Sequence, residues 1–496
     1  MTRETLLIRA DASPQIGTGH VMRCLALAQV WQQAHGRVIF ALAQPAGPIR
    51  ERLEAGGLAT VELPHPPGSP ADAAVTVAMA LQQQAAWTVV DGYHFQADYQ
   101  RRLKDAGLRL VAVDDYGHAE SYCADYVLNQ SLGASAALYQ RLEPHTRLLL
   151  GAQYVLLRQE FLKWRTWQRQ FPQPARRVLV TLGGSDPANV TLSIITGIGE
   201  LKQCEATVLV GSNNPHWQEL QAGASAHAPR MKLLRNAVNM PELMAEADLA
   251  IVSGGTTAVE TAFMGLPALL VLLADNQKGN VQRLEAIGAA RRLSGEDIAG
   301  AARALLNDPV AREEMSRKGR ALIDGEGSFR VWLHLMEPGI QLRPATEQDC
   351  RLVWEWANDP VARQVSFSTK PIPWEEHVRW FTNKLRQKEH CFWLACDRAG
   401  QAFGQVRFDT REGRTVISVN LGAQHRGRNL GSFVIWAACR KLFRETPAAT
   451  VDAWIKADNA ASVRAFQKAG FAQARATVVN QQPALVLTLP KDRAEL

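Results

Sequence analysis

At 496 residues the chain has room for about three domains, and 47% hydrophobic with 21% charged residues is the balance of a globular protein, which excludes a disordered or fibrous one. No run of about 18 apolar residues occurs, which argues against a membrane-spanning helix, and seven cysteines without a Cys-x-x-Cys pair fit reduced thiols better than a disulfide scaffold. The net charge of +7 is concentrated after residue 340, where 23 Lys and Arg face 15 Asp and Glu; without a dense basic run or an aromatic RNA-binding signature this points away from nucleic acid and toward a phosphate-rich small molecule or a solvated basic surface.

The first apolar run, Leu6-Leu7-Ile8-Arg9-Ala10-Asp11, reads as a strand. It follows Met1-Thr2-Arg3-Glu4-Thr5, which lacks the apolar core and cleavage site of a signal peptide, so a cytoplasmic location is expected. Next comes Gly17-Thr18-Gly19-His20-Val21-Met22-Arg23, after which Val21, Leu25, Ala26 and Val30 recur at helical spacing. The glycines therefore stand where a strand turns into a helix, where backbone N–H groups can approach an anionic ligand. His20 sits at that mouth with the side-chain type that ordinarily titrates near neutral pH, and Arg23 lies one turn on. The local pattern alone fits either a ligand site or a tight turn with a helix-capping histidine. The segment from Ile8 to Ser13 and on through Arg23 resembles the start of the UDP-sugar hydrolases of pseudaminic acid biosynthesis, which act on UDP-2,4-diacetamido-2,4,6-trideoxy-β-L-altropyranose. The resemblance continues to about residue 335.

Strand-like runs at 37–42, 87–90, 108–113 and 124–128 alternate with helical stretches, which predicts a parallel sheet covered on both faces. Ligands of such sheets collect at the carboxyl ends of the strands. Two strand ends carry carboxylates and a tyrosine, Asp91-Gly92-Tyr93-His94 and Asp114-Asp115-Tyr116. The resemblance makes Tyr93 the active-site tyrosine; helix capping is the plainer reading of both segments. His94 and His118 have only their neighbourhood to recommend them.

A connecting region at 151–161 leads to a second lobe with strands expected at 177–182, 206–211 and 248–252. The first ends in Gly183-Gly184-Ser185-Asp186, and the last opens onto Ser253-Gly254-Gly255-Thr256-Thr257-Ala258-Val259-Glu260. Two glycines and hydroxyl side chains at a helix start suit a diphosphate, and Glu260 suits ribose hydroxyls. A further strand after Gly265-Leu266-Pro267 ends in Ala274-Asp275-Asn276-Gln277. This run resembles the UDP site of glycosyltransferase-B folds, and in the hydrolase family the asparagine, here Asn276, faces the sugar. No Asp-x-Asp triplet occurs anywhere, so no metal is expected.

From about residue 341 the pattern changes. A strand at 341–345 precedes Thr346, an expected N-cap with Asp349 three residues on. Antiparallel strands are expected at 392–395, 402–408 and 415–421, followed by Gln424-His425-Arg426-Gly427-Arg428-Asn429-Leu430-Gly431 and an apolar helix at 433–442. This resembles the acetyl-CoA site of the GNAT N-acetyltransferases, whose pattern is Arg/Gln-x-x-Gly-x-Gly/Ala. Asn429 replaces the middle glycine, a departure softened by the tolerance of Asn for left-handed backbone. Asn459 to Phe471 matches the family's next helix, where the usual tyrosine acid falls on Phe466.

Together the resemblances imply an α/β chain of two Rossmann-like lobes (a glycosyltransferase-B fold), 1–152 carrying the catalytic His and 153–338 binding UDP, followed by a GNAT α/β acetyltransferase domain at 339–496. They imply catalytic roles for His20, Tyr93 and Asn276. Contacts to the UDP-activated amino sugar would come from Gly17, Gly19, Arg23, Asp91, Gly183, Ser253, Gly254, Gly255, Thr256, Thr257, Glu260 and Gln277. Acetyl-CoA would be held by Leu421, Arg426, Gly427, Arg428, Asn429, Gly431 and Asn459. The expected function is bifunctional: acetylation of the 4-amino group of a UDP-amino-sugar, and metal-independent, inverting hydrolysis of the diacetamido sugar nucleotide with His20 as base. A glycosyltransferase fused to an acetyltransferase for another amino sugar, and a non-catalytic nucleotide-sugar sensor, are the alternatives. Neither nucleic acid nor membrane is an expected partner, and the oligomeric state stays open.

Overall fold

The structure, a computed structural model, describes residues 4–13, 17–43, 47–183, 186–211, 214–235, 237, 239–293, 297–387, 391–411 and 413–494. These fold as two compact units, one holding residues 36–331 with those before 33, the other residues 332–496 with 33–35.

The first unit contains two parallel sheets. One is built from β1 (Thr5–Ala10), β2 (Arg37–Leu42), β3 (Ala59–Glu62), β4 (Ala85–Asp91), β5 (Leu110–Asp114), β6 (Tyr126–Asn129) and β7 (Arg147–Leu150), in the order 3-2-1-4-5-6-7. The other takes β8 (Arg177–Thr181), β9 (Glu205–Val210), β10 (Met231–Arg235), β11 (Leu249–Ser253), β12 (Ala268–Val271) and β13 (Arg291–Arg292), in the order 10-9-8-11-12-13. Every neighbouring pair in both is parallel. Helices cover both faces, so the central strands are mostly apolar rather than alternating: all six residues of β1 are buried, and its one charge, Arg9, is paired with Asp72 and Asp11. In β11, Leu249 and Ile251 pack into one core cluster and Ala250 and Val252 into another, the two-residue period of a strand sandwiched between helical layers. Leu249, Ile251 and Val252 each contribute about 1.5–3 kcal/mol by leaving water.

Strand order reverses between β1 and β4 in the first sheet and between β8 and β11 in the second. Crevices open beyond the carboxyl ends of strands at such reversals. The residues that follow β1, β4, β8 and β11 are therefore the candidates for contact with a ligand.

The second unit has one mixed sheet of β14 (Gln341–Pro344), β15 (Phe392–Cys396), β16 (Ala402–Arg411), β17 (Arg414–Leu421), β18 (Thr450–Lys456), β19 (Ala472–Val479) and β20 (Gln482–Pro490), in the order 14-15-16-17-18-20-19. Its pairs are antiparallel except β17 with β18, which pair in parallel only at Val416–Asp452 and Ile417–Ala453. Beyond those two positions the strands part. At its start Thr346 and Asp349 form a reciprocal capping box, with aspartate in place of the usual glutamate and its carboxylate also held by Arg343 at 2.7 Å.

Candidate active site

The turn after β1 depends on Gly17, whose φ of +72° disfavours a side chain and whose N–H donates to Ser13 O at 2.8 Å. A Cβ built at Gly17 or Gly19 would meet nothing within 4 Å among the described residues. The helix Gly19–Gln33 begins there, and its spacing puts His20 and Arg23 on one face, both buried. They converge on Asp91, fully buried at the end of β4. Asp91 Oδ1 lies 2.6 Å from His20 Nδ1, while Arg23 donates from Nε to Oδ2 and from Nη2 to Oδ1, each at 2.6 Å. Burial by itself raises the Asp91 carboxyl, yet the Arg23 guanidinium and then His20 hold it well below the usual carboxylate range. Arg23 Nη2 is 3.2 Å from the same His20 nitrogen, but a guanidinium can only donate. The shorter bond to an ionised carboxylate therefore assigns the proton of a neutral His20 to Nδ1 and makes Nε2 the basic nitrogen.

A second carboxylate continues the network. Asp115, one residue past β5, accepts from Arg23 Nη1 and from the Tyr93 hydroxyl at 2.8 Å. Burial and the Asp115 charge push the Tyr93 phenol up, so it remains a donor. Tyr93 is edge-on to His20, with ring centroids 5.0 Å apart. From the second lobe, Asn276 donates through Nδ2 to the Tyr93 oxygen at 2.7 Å. Its Oδ1 is buried with no hydrogen-bond partner among the described residues. A buried amide oxygen left bare is costly unless a ligand supplies the donor.

In the second lobe, Ser253 ends β11 in a buried position and the helix Thr256–Phe263 starts after Gly255 without a side-chain cap. Gly183, with φ +96°, brings the end of β8 beside it: Cβ atoms built at Gly183 and Gly255 would lie 4.0 and 3.9 Å from Ser253 Oγ. Gly184 and Ser185 lie outside the described residues. Gln277 turns inward, its Oε1 accepting from Gly254 N at 3.2 Å and Leu273 N at 3.1 Å, which makes it a brace of the loop. Glu260 is buried and accepts from Arg158 Nη2 at 2.8 Å. Burial raises its carboxyl, a trend that Arg158 opposes. Thr257, on the first turn of that helix, is half-buried.

Three contributors were not among the expected site residues. Asp115 belongs to the Asp114-Asp115-Tyr116 segment noted for its carboxylates, and its place one residue past β5 is the cue that could have singled it out. Asn280 donates to Gly254 O at 2.9 Å and accepts from Leu132 N at 2.9 Å, pinning the glycine loop to the first lobe. Arg158 lies in the connection between lobes, 102 residues from the glutamate it pairs with.

In the second unit, Gly427 (φ +75°) and Asn429 (φ +59°, left-handed) shape the turn before the helix Leu430–Glu445. Asn429 thus adopts the backbone for which glycine is usual, with Lys468 Nζ donating to its Oδ1 at 2.9 Å. Arg426 is occupied: Nε and Nη2 donate to Leu421 O at 3.1 and 3.0 Å and Nη1 to Asp359 at 2.6 Å. Arg428 Nε is buried without a hydrogen-bond partner among the described residues. A Cβ at Gly427 would meet nothing within 4 Å, and one at Gly431 only Leu421 Cδ1 at 3.6 Å. An open turn at a helix start beside two parting strands, with an unmatched guanidinium donor, fits a pyrophosphate-bearing cofactor. Asn459 caps the helix Ala460–Lys468 through Ser462 N at 3.1 Å. Phe466 is buried against Phe471, ring centroids 5.0 Å apart, and donates no proton.

Comparison with known proteins agrees with this division. Residues 340–472 match the acetyltransferase (GNAT) domain family, and residues 178–321 match the glycosyltransferase family 28 C-terminal domain. An uncharacterized protein of Methanocaldococcus jannaschii is 22% identical over 94% of this chain and 96% of its own. The UDP-2,4-diacetamido-2,4,6-trideoxy-beta-L-altropyranose hydrolase of Campylobacter jejuni is 24% identical over 55% of this chain and 93% of its own. A spore coat polysaccharide biosynthesis protein of Bacillus subtilis is 25% identical over 47% and 71%. The chain therefore joins a glycosyltransferase-B-like pair of lobes, similar to an enzyme of sugar-nucleotide hydrolysis, to a GNAT acetyltransferase domain.

Proposed function

We propose that the two-lobed unit hydrolyses a UDP-activated diacetamido sugar to the free sugar and UDP, and that the GNAT domain acetylates the 4-amino group of its UDP-amino-sugar precursor. The observation that carries the first half is the buried His20–Asp91–Arg23 cluster joined through Tyr93 to Asn276 of the other lobe. UDP is a good leaving group, so the help is needed at the attacking water. His20 Nε2 takes a proton from water as the water oxygen bonds to the anomeric carbon. The bond from that carbon to UDP breaks with its electron pair going to UDP, and Asp91 stabilises the imidazolium that forms. Attack opposite the leaving group inverts the anomeric centre. The bare Asn276 Oδ1 would accept a hydrogen bond from the sugar. The loops after β8 and β11 would hold the diphosphate, and Glu260 the ribose through the carboxylate oxygen that Arg158 leaves.

For the second half, Gly427, Arg428, Asn429 and Gly431 would hold the pyrophosphate of acetyl-CoA, with Leu421, Arg426 and Asn459 fixing the shape of the turn. Acetyl-CoA supplies an activated acetyl thioester. Because Phe466 is inert, the amine's proton passes to solvent or to another group.

The test is proton and phosphorus NMR of the purified chain with candidate UDP-sugars, with and without acetyl-CoA, in ¹⁸O-labelled water. Label in an inverted free sugar supports attack at carbon; label in UDP would mean attack at phosphorus and remove the role given to His20. Among the described residues no three His, Cys, Asp or Glu side chains gather as a metal site would require, so hydrolysis is expected to persist in EDTA; loss restored by magnesium would overturn the metal-free reading. The match to a glycosyltransferase domain at 178–321 favours one second reading, transfer of the sugar to an acceptor other than water, which would appear as release of UDP only when that acceptor is added.

A further inference from the structure

The connection between the two lobes is fastened to the first of them at two points. Gln159 N donates to Gln29 Oε1 at 2.8 Å and Gln159 Nε2 to Gln29 O at 3.2 Å, on the helix Gly19–Gln33 that carries His20. Glu160 Oε1 accepts from Arg52 Nη2 at 2.9 Å, on the helix Gly47–Ala55. From this anchored segment Arg158 reaches into the second lobe, where its Nη2 donates to Glu260 Oε1 at 2.8 Å. Its Nη1 lies 3.2 Å from Glu160 Oε1, the oxygen that Arg52 also holds. The guanidinium rests over the buried Phe161 ring, 5.0 Å from its centroid.

Charges therefore alternate along Arg52, Glu160, Arg158 and Glu260, from a first-lobe helix to the carboxylate proposed for the ribose. Burial pushes the Glu260 carboxyl up; Arg158 opposes this, Glu160 adds to it and Arg52 opposes it again. Without Arg158 the buried carboxylate would lose its contacting cation and keep Glu160 as a neighbour. Arg52 shares the charge of Glu160, which leaves Arg158 available to Glu260. A ribose hydroxyl bonds an ionised carboxylate about twice as strongly as a neutral partner, so both the charge and the direction of Glu260 bear on nucleotide affinity.

We propose that Arg158 is the positioning residue of the ribose carboxylate: fixed to the first lobe through Gln159, Glu160 and Arg52, it holds one oxygen of Glu260 so that the other meets the ribose hydroxyls. The nucleotide grip is then built from both lobes, and the segment that joins them is part of it. The inference rests on the ribose role proposed for Glu260 and deepens it.

The experiment titrates UDP calorimetrically into the full chain and into Arg158→Met, Glu260→Ala and the double variant, at about pH 8 and about pH 6, a range into which burial can lift a carboxyl. Arg158→Met is expected to weaken UDP by about fivefold at the higher pH and by more at the lower one, where Glu260 takes up a proton. The phosphate of UDP also ionises in this range, but it does so in every titration and cancels in the ratio to the unsubstituted chain. Arg158→Lys keeps the cation and is expected to remove the extra loss in acid. In the Glu260→Ala background Arg158→Met is expected to change nothing, because it acts through the missing carboxylate. A loss or a gain in that background, a loss in the single variant that does not grow toward acid, or no loss at all would overturn the proposal. Should Arg158→Met not fold, Arg52→Met carries the test: Glu160 then competes for Arg158 alone, and a smaller loss, again growing toward acid, is expected, its absence overturning the proposal. Unchanged UDP affinity in Glu260→Ala would sink the ribose reading instead.

Discussion

Two glycine turns feed helices in this molecule, residues 17–23 after β1 and residues 426–431 after β17, and they use their charged residues in opposite ways. In the first, His20 and Arg23 turn inward onto Asp91 and Asp115, carboxylates from two other strand ends. In the second, Arg426 fastens the turn to Leu421 O and Asp359, and Lys468 fastens Asn429. The first turn presents ionisable side chains at a lobe crossing; the second uses its side chains to shape the backbone. The difference suits the two tasks proposed. Moving a proton needs a side chain whose tautomer and direction are held by a buried charge. Holding a pyrophosphate needs N–H groups in a fixed array, which depends on backbone shape.

The strongest way to break this contrast is Asp91→Asn. It removes the charge that orients His20 and leaves a buried guanidinium with one carboxylate instead of two. Hydrolysis should fall by roughly 10³–10⁴-fold, and stability by about 3–5 kcal/mol in urea unfolding. The sign with pH follows from the lowered Asp91 carboxyl. The stability it contributes is fully present above the ordinary carboxylate pKa of about 3.9 and is lost as pH falls below that value toward the folded one. The gap between the unsubstituted chain and Asp91→Asn should therefore be constant near neutrality and close in acid. A gap that widens in acid would show that Asp91 is not the ionised anchor.

Next is His20→Asn, which keeps a polar group near Asp91 and removes the base. Hydrolysis should drop by about 10²–10⁴-fold while calorimetric titration finds UDP affinity unchanged. Equal loss of both would make His20 part of the nucleotide grip instead.

Glu260→Ala tests the second lobe. A ribose hydrogen bond to a charged group is worth roughly 1.5–3 kcal/mol, and UDP affinity should fall accordingly. Because the substitution also removes one of the two carboxylates paired with Arg158, leaving Glu160 at 3.2 Å, the double variant with Arg158→Met separates the two effects: restored affinity would mean that the altered Arg158, and not a lost ribose contact, caused the loss.

The smallest effect sharpens the second turn. Asn429→Val places a β-branched residue in left-handed backbone at a cost of about 1–2 kcal/mol, and acetyl-CoA affinity should drop by about tenfold. Asn429→Gly should keep it, although the Lys468 contact is lost. Loss of affinity in the glycine variant would show that the Asn side chain, rather than the backbone, serves the cofactor.

Much of the fold was legible because it is written in short-range pattern. The buried strands β1, β2, β4, β8 and β11 appear as largely apolar runs within a residue or two of their ends, since a strand covered on both faces needs such a run. The strands that left no clear mark are the exposed or brief ones. β3 has one half-buried residue flanked by exposed ones, and β13 is two exposed arginines; they join their sheets through pairing with a neighbour, which no local period records.

The site divides along the same line. The sequence by itself determined where the glycine turns lie, at strand ends that lead into helices, and that an Asn can stand in for glycine at residue 429, because these depend on backbone preferences of a few adjacent residues. Only the tertiary structure decided what those residues do. It set His20 on Asp91, 71 residues away, and Asn276 on the Tyr93 hydroxyl, 183 residues away. It also engaged Arg426 in fastening a turn, and closed Glu260 onto Arg158. Those partnerships depend on strand order and on the meeting of two lobes. A buried charge takes whichever opposite charge the fold brings within reach, because leaving it unpaired costs more than any local preference can offset.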